Sequence, residues 1–451
     1  MTVPGAIRAF AQEFRRAGHE LYVVGGAVRD SLLRRPVTDY DFATSATPAE
    51  VQALFRRTVP TGIEHGTVTV LYGDRQFEVT TYRVEGEYHD HRRPEHVHFT
   101  RSLQEDLSRR DFTINAIAYD PLTRSLIDPH DGRSDLKSET LRTVGDPGTR
   151  FEEDALRMLR AVRFAAVLQF AVAPELEAAI APRVSHIAHV SVERVYQELS
   201  KMMEAPKPSR GWHLLRDTGL ARIILPELLE DRTRGTSDEM PPVFEHLVAS
   251  CDCAPRDTPV LRWAAMLHDI GKPRCLAHDA RGLHFHGHDQ VSADMAEEIL
   301  ARLRAPKTVR DQVTHLVRHH MFDLTAEHGD AALRRFMSRV GKETVPQLLQ
   351  LRRADICGKT GMVPVSEDLN RLERRLKDMT AAAPPVTTGD LAVNGRDLMR
   401  ALSLSPGPQI GIVLEELLRT VIDDPQLNTR DQLLKVATRF YSERLRPDEG
   451  D

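Results

Sequence analysis

Hydrophobic periodicity changes once along this 451-residue chain, near residue 135, and that change constrains the fold more than any other feature. Before it, short β-rich runs alternate with helical stretches. Leu21 to Val24 is an apolar run ending at Gly25 and Gly26, and a helical stretch opens at Ala27. Thr47 and Pro48 supply an N-cap followed by proline at the first helical position. Thr67 to Leu71 and Gln76 to Thr81 flank Gly73 and Asp74 like the arms of a hairpin. Ser102 and Glu105 form a capping box that opens another helix. The texture changes after Asp128 to Gly132, and from about residue 150 onward nearly everything reads at helical period, with proline or glycine at the breaks. The fold class is therefore α+β: a small head with a mixed sheet and helices, then an elongated all-α body. The expected divisions are a head over 1–140, a helical neck over 141–230, a histidine-rich domain over 240–360 and a helical tail over 361–451. The polar stretch from Asp231 to Pro242 reads as a linker.

Composition narrows the class further. Hydrophobic residues make up 41% and charged residues 28%, as in soluble globular proteins. No run of about 18 apolar residues exists, so no membrane span is expected. The first twenty residues have helical periodicity but no apolar signal core, which points to the cytoplasm. Cys251, Cys253, Cys275 and Cys357 lack zinc-ribbon or thioredoxin spacing and are expected as free thiols. The net charge of −5 does not announce a nucleic-acid binder. Only nine of the 61 basic residues are lysine, and arginine is the better fork for phosphates and base edges.

Three motifs in the first 163 residues carry chemistry. Gly25 and Gly26, between a strand and a helix, let backbone approach an anion closely, and Arg29 and Asp30 follow on the helix. Asp39 and Asp41 sit two apart in a β-like run, so both carboxylates point to one face. Two adjacent carboxylates repel, and Mg2+ suits their oxygens. This order resembles the polymerase-beta-type nucleotidyltransferase superfamily, which uses a third carboxylate on a neighbouring strand; Glu78 is the candidate. The run Arg109, Arg110, Asp111, Phe112, Thr113, Ile114, Asn115, Ala116 begins 68 positions after Asp41. It resembles the RRDFTINA motif of class II CCA-adding enzymes and bacterial poly(A) polymerases. The resemblance implies that Arg110, Asp111 and Asn115 help bind ribose and triphosphate.

The third motif runs from Glu153 to Arg163. On a helix, Asp154 and Arg157 share a face, with Arg160 and Arg163 following. An aspartate offers acceptors and an arginine offers donors, so the pair can read the edges of C and A. This resembles the family's EDxxR motif, in which side chains replace a nucleic-acid template. The segment from Arg83 to Phe99 looks like the family's flexible loop, with His89, Asp90, His91, Arg92, Arg93 and Pro94 near its centre. Its presence argues against a relative that adds only CC.

His246, the pair His268 and Asp269, and Asp355 follow the H…HD…D order of the HD metal-hydrolase family. Imidazole and carboxylate suit a divalent transition metal with positions left open for water. His288 and His320 come from two further histidine-rich runs and are candidate additional ligands.

Together the resemblances imply addition of C, C and A to the 3′ end of tRNA from CTP and ATP, with pyrophosphate released. They imply Mg2+ in the head and helical tail residues that grip tRNA. The same motifs serve A-adding, CC-adding and poly(A)-adding relatives. An HD phosphohydrolase with a nucleotide-sensing head and a non-catalytic RNA-binding module are readings from other classes. The intact Asp39 and Asp41 argue against both.

Overall fold

The computed structural model describes residues 1, 3–85, 97–230, 242–279, 282–362, 366–382 and 384–445. The chain divides into two compact units. The first comprises Met1–Arg232 with Arg256–Pro259 and Glu298–Arg310; the second comprises Thr233–Pro255, Val260–Glu297 and Asp311–Asp451.

The first unit begins with a mixed sheet. Its strands are β1 (Leu21–Val24), β2 (Asp41–Thr44), β3 (Thr58–Gly62), β4 (Thr67–Tyr72) and β5 (Arg75–Thr81). The pair β6 (Arg83–Glu85) and β7 (Val97–Phe99) stands apart, and β8 (Ala118–Tyr119) and β9 (Leu126–Ile127) return to the main sheet. The order is β3-β4-β5-β2-β1-β8-β9. Only β2 and β5 run parallel; the other neighbours are antiparallel. Gly73, at φ 61°, makes the β4–β5 turn expected from the sequence. Strand alternation decides what each face carries. In β5, Phe77 and Val79 are buried while Glu78, between them, is exposed. Phe77 packs against Phe10 of the helix Gly5–Arg16 with ring centroids 4.8 Å apart, and Phe42 of β2 completes that aromatic core.

The capping signals resolve differently. Thr47 and Glu50 form a full reciprocal box ahead of the helix Pro48–Leu54. Ser102 accepts from the Glu105 amide, but the Glu105 carboxylate accepts from the Thr100 hydroxyl, so only half of that box forms. Among the described residues, the rest of the unit is helical apart from a short parallel pair, Thr140–Leu141 with Ala171–Val172. Two helices, Pro147–Glu153 and Leu156–Leu168, are followed by Val192–Met203, which packs on the second of them.

Among the described residues, the second unit is helical except for one small antiparallel pair, Ala277–Asp279 with Gly282–His284, where Gly282 stands at φ 99°. The helices Val243–Cys253 and Val345–Thr360 pack side by side. They come so close that a Cβ placed on Gly358 would lie 2.1 Å from Ser250 Oγ and 2.8 Å from the Ser250 amide nitrogen. That proximity corrects the free-thiol expectation. Cys253 and Cys357 face each other across the helix pair with Cα atoms 6.1 Å apart, within disulfide range, and are bonded. Cys251 and Cys275 remain thiols. In the tail, Val393, Leu398, Val413, Leu417, Val421, Leu433 and Ala437 form a separate apolar core. The expected linker at 231–241 and the central loop residues His89 to Pro94 lie outside the described residues.

Candidate active site and metal centre

The head places three carboxylates together. Asp41 opens β2, and in the parallel register with β5 it lies directly beside Glu78. Asp39 stands just before the strand rather than in it, its carboxylate accepting from the Thr38 hydroxyl at 3.2 Å. All three line one cleft of about 880 Å³, together with Val59, Thr61 and Gln76. Asp41 keeps solvent access at the cleft mouth, yet its carboxyl is pushed up. Desolvation is the main cause, and Glu78 and Asp39 add repulsion that Arg110 partly offsets. Crowded oxygen donors of this kind suit Mg2+, which is commonly held by one or two carboxylates plus substrate phosphates. The trio is more open than a closed ligand cage: it is not among the groups whose ligand atoms all lie within 4.8 Å of one another.

Gly25 sits at φ 69°, a left-handed conformation that favours glycine. A Cβ there would meet Arg110 Nη1 at 3.3 Å and Asp41 Oδ2 at 3.9 Å. The turn therefore brings the end of β1 against the carboxylate and the arginine together. Arg110 and Arg109 are held by Asp106, which is 1% exposed. Burial opposes ionisation of Asp106, but the two guanidinium groups win and hold its carboxyl low.

A second run of contacts starts at Arg29. Its Nε and Nη2 each donate to Asp30 at 2.9 Å, and its Nη1 donates to Asn115 Oδ1 at 2.8 Å. The Asn115 amide donates to Asp111 Oδ1 at 3.1 Å, and Arg160 Nε donates to Asp111 Oδ2 at 2.8 Å. Arg160 also lies 3.6 Å from Glu198, which pairs with Arg163. The Phe164 ring lies under three guanidinium groups, those of Arg163, Arg29 and Arg160, at 3.9, 5.0 and 5.4 Å from its centroid. The sequence-marked residues of the glycine turn, the RRDFTINA run and the helix Leu156–Leu168 are thus joined by direct contacts.

The EDxxR segment departs from expectation. Asp154 and Arg157 do not share a helix, because the chain leaves helical geometry at Asp154, with φ −139° and ψ 105°. The Asp154 side chain caps the next helix through the Leu156 amide at 3.0 Å and pairs with Arg194 at 2.8 Å. Arg157 is buried and donates to the carbonyls of Arg150 and Arg109, both at 3.1 Å, and to Glu153. Sequence reading missed Asp106, Phe164, Arg194 and Glu198. Glu198 left a trace: it sits among Val195, Leu199 and Met202 on the buried face of an amphipathic helix, where a carboxylate needs a partner.

The second unit gathers every histidine and aspartate expected there. The helix Pro259–Leu267 ends just before His268 and Asp269, which are 0% and 1% exposed. His246 comes from Val243–Cys253 and Asp355 from Val345–Thr360. His246, His268, Asp269 and Asp355 present ligand atoms within 4.8 Å of one another, as do Asp269, His288 and His320. His286 and His319 lie outside both groups; they stack instead on His284 and His315. Burial opposes a charged His268, but Asp269 and Asp355 prevail and its pKa rises to about 9. Lys272 approaches Asp269 at 2.5 Å and Lys359 approaches Asp355 at 2.8 Å. Nitrogen and carboxylate donors in this mixture fit a divalent transition metal.

A mixed sheet presenting adjacent strand carboxylates beside a glycine turn defines the head of a nucleotidyltransferase. Residues 21–142 match the family model described as Poly A polymerase head domain. Residues 169–231 match the family model described as "Probable RNA and SrmB-binding site of polymerase A", 213–358 that described as "HD domain", and 287–437 that described as "tRNA nucleotidyltransferase domain 2 putative". The CCA-adding enzyme of Lactobacillus johnsonii is 36% identical over 412 residues, 91% of this chain and 91% of its own length. That of Geobacillus stearothermophilus is 35% identical over 424 residues, 94% of this chain and 93% of its own. The crystal structure of the Bacillus stearothermophilus CCA-adding enzyme in complex with CTP superposes with a TM-score of 0.75 at 30% identity. It covers 98% of this chain and 99% of that one. The chain belongs to the CCA-adding enzyme family of nucleotidyltransferases.

Proposed function

We propose that this chain adds C, C and A in turn to the 3′ end of tRNA, using CTP and ATP. The observation that carries this reading is the meeting of two contact runs at Gly25 and Gly26. At Gly25 the turn lies against both Arg110 and Asp41, and from Gly26 a run leads through Arg29, Asn115 and Asp111 to Arg160. Carboxylates for chemistry, donors for a triphosphate and a helix for the base thus share one site. The cleft beside Asp39, Asp41 and Glu78 receives the tRNA terminus. There the terminal 3′-oxygen attacks the α-phosphorus of the nucleotide. The bond to the β-phosphate oxygen breaks, pyrophosphate leaves, and the hydroxyl proton passes to water. Asp39 and Asp41 would hold Mg2+, whose charge would make the hydroxyl more acidic and steady the leaving pyrophosphate.

Gly25 and Gly26 admit the triphosphate, and Arg29, Arg110, Asp111 and Asn115 hold it and the ribose, with Asp30 fixing Arg29. Asp154 and Arg157 read the base, held in place by Arg194 and Glu153. Arg160 and Arg163 follow Arg157 on the helix Leu156–Leu168 and join them in selecting the base. The head over 1–140, the neck over 141–230 and the tail over 361–451 divide this labour, the tail gripping tRNA. In the domain over 240–360, His246, His268, Asp269 and Asp355 hold one divalent transition-metal ion. The working compartment is the cytoplasm; among the described residues, no helix is long and apolar enough to cross a membrane.

The test is incubation with tRNAs ending at the discriminator base, at C, or at CC, each with single nucleotides. CTP should extend the first by two residues and the second by one, and ATP should extend the third by one. Extension of the CC end alone, or of the discriminator end by C alone, overturns the reading in favour of a partial tailing enzyme. Long runs of A on unrelated RNA overturn it in favour of polyadenylation.

A further inference from the structure

Asp111 has no acceptor position to spare. Its Oδ1 accepts from the Phe112 amide at 2.8 Å and from the Asn115 amide at 3.1 Å. Its Oδ2 accepts from Arg160 Nε at 2.8 Å and from Arg160 Nη2. A carboxylate offers about four lone-pair positions, and all of them are filled. A ribose hydroxyl that donates to Asp111 must therefore displace one of these partners. Burial decides which. Phe112 and Asn115 are 0% and 6% exposed, and losing their acceptor would strand buried donors. The Arg160 side chain keeps 31% of its surface exposed, so Arg160 is the partner that can yield.

A displaced guanidinium needs another carboxylate, because a partly buried cation without a partner is costly. Glu198 stands beside it. Glu198 is buried, its Oε2 accepts from Arg163 Nε, and its Oε1 lies 3.6 Å from Arg160 Nη1, just beyond hydrogen-bond reach. A shift of about 0.7 Å would bring that pair to ordinary bonding distance. The Phe164 ring offers an aromatic face to both cations, 5.4 Å from Arg160 and 3.9 Å from Arg163. Arg160 thus has two carboxylates within reach and bonds only one of them.

We propose that Arg160 is a latch released by ribose: the 2′-hydroxyl of the incoming nucleotide takes its place on Asp111 Oδ2, and Glu198 Oε1 receives the guanidinium. Glu198 is then a positioning residue. It acts through Arg160 and sets the preference for ribonucleotides over deoxyribonucleotides. A deoxyribose leaves the latch shut, because it brings no donor to exchange for the arginine. The hydroxyl keeps its proton, and only hydrogen bonds are remade. The inference rests on the reading above that Asp111 meets the sugar, and it names what the sugar must move.

The experiment follows one addition of C to a tRNA ending at C, with CTP or dCTP, and compares kcat/KM for the two. The parent should prefer CTP. Glu198→Gln should cut that preference by about tenfold, the worth of one charge-assisted hydrogen bond. The loss should fall on CTP, with dCTP near the parent's value. Adding Arg160→Ala should return the preference to the parent's or above, because nothing then occupies Asp111 Oδ2. The ratio is the readout, since base selection by Arg160 weighs on both nucleotides alike. A merely structural Glu198 would depress CTP and dCTP together, and the second substitution would not repair it. Should Glu198→Gln misfold, as judged by circular dichroism, Glu198→Asp replaces it, its shorter carboxylate standing farther from Arg160. A preference unchanged by the Glu198 substitution, or a loss that Arg160→Ala does not reverse, overturns the latch and leaves Asp111 on the sugar. A parent that uses CTP and dCTP equally overturns both.

Discussion

Replacing Asp111 with asparagine should weaken the first unit by about 2 kcal/mol at neutral pH, and the loss should fade in acid. Asp111 is 9% exposed. Burial alone would raise its pKa, but Arg160, the Asn115 amide and the Phe112 amide overcome burial and bring it from 3.8 to about 2. Carried over at about 1.36 kcal/mol per pKa unit, that depression amounts to about 2 kcal/mol. Because the folded-state value is depressed, this stabilisation is fully present above pH 4 and is lost as pH falls from about 4 towards 2. The asparagine variant lacks it at every pH. The two proteins should therefore differ most at pH 7 and converge near pH 2.

The molecule supplies a convenient reporter. Trp212 lies in the first unit and Trp263 in the second, each 1% exposed. In a Trp263→Phe background, Trp212 fluorescence follows urea unfolding of the first unit alone. With a slope of about 3 kcal/mol per molar, the midpoints should differ by about 0.7 M at pH 7. Coincident midpoints at pH 7 would refute the charge assignment. So would a gap that stays constant down to pH 3, because the loss would then come from packing rather than ionisation.

Three further outcomes are expected. Asp41→Ala should abolish nucleotide incorporation while tRNA binding, measured by filter retention, stays within about twofold; near-normal incorporation removes Asp41 from the chemistry. Arg157→Ala should let UTP and GTP compete measurably with CTP and ATP in single-turnover assays, and unchanged rejection counts against its reading of the base. Reducing the Cys253–Cys357 disulfide opens a loop of sequence separation 104 and should cost the second unit about 4–5 kcal/mol in the chain-entropy account. A dithiol reductant should then lower the urea midpoint reported by Trp263 and leave that of Trp212 in place. No change in the Trp263 midpoint would contradict the cross-link.

Much of this was legible before any coordinates. The β4–β5 hairpin, the glycine turn and the N-cap at Thr47 depend on local chemistry that neighbours in sequence supply. The pairing of Asp41 with Glu78 was expected only from resemblance, because strand register between distant segments depends on the whole sheet. Asp154 misled the sequence reading: its neighbours are good helix formers, but its own carboxylate competes for the Leu156 amide and breaks the helix there. Arg194 carries no local signature, since its partner lies 40 residues away; Glu198 shows as a carboxylate on a buried helix face, but its partner, 35 residues away, does not show. The disulfide was missed for the same reason: nothing in the spacing of four cysteines reveals which helices lie side by side.

The closeness of those two helices reaches beyond the cross-link. Gly358 touches no ligand, yet its missing side chain lets the helix bearing Asp355 settle against the helix bearing His246. An added Cβ would meet the Ser250 amide nitrogen and Cα, at 2.8 and 3.0 Å, which no change of rotamer can relieve. A single added methyl would act as a wedge, opening the jaws of the ion-binding vice and favouring larger occupants over smaller ones.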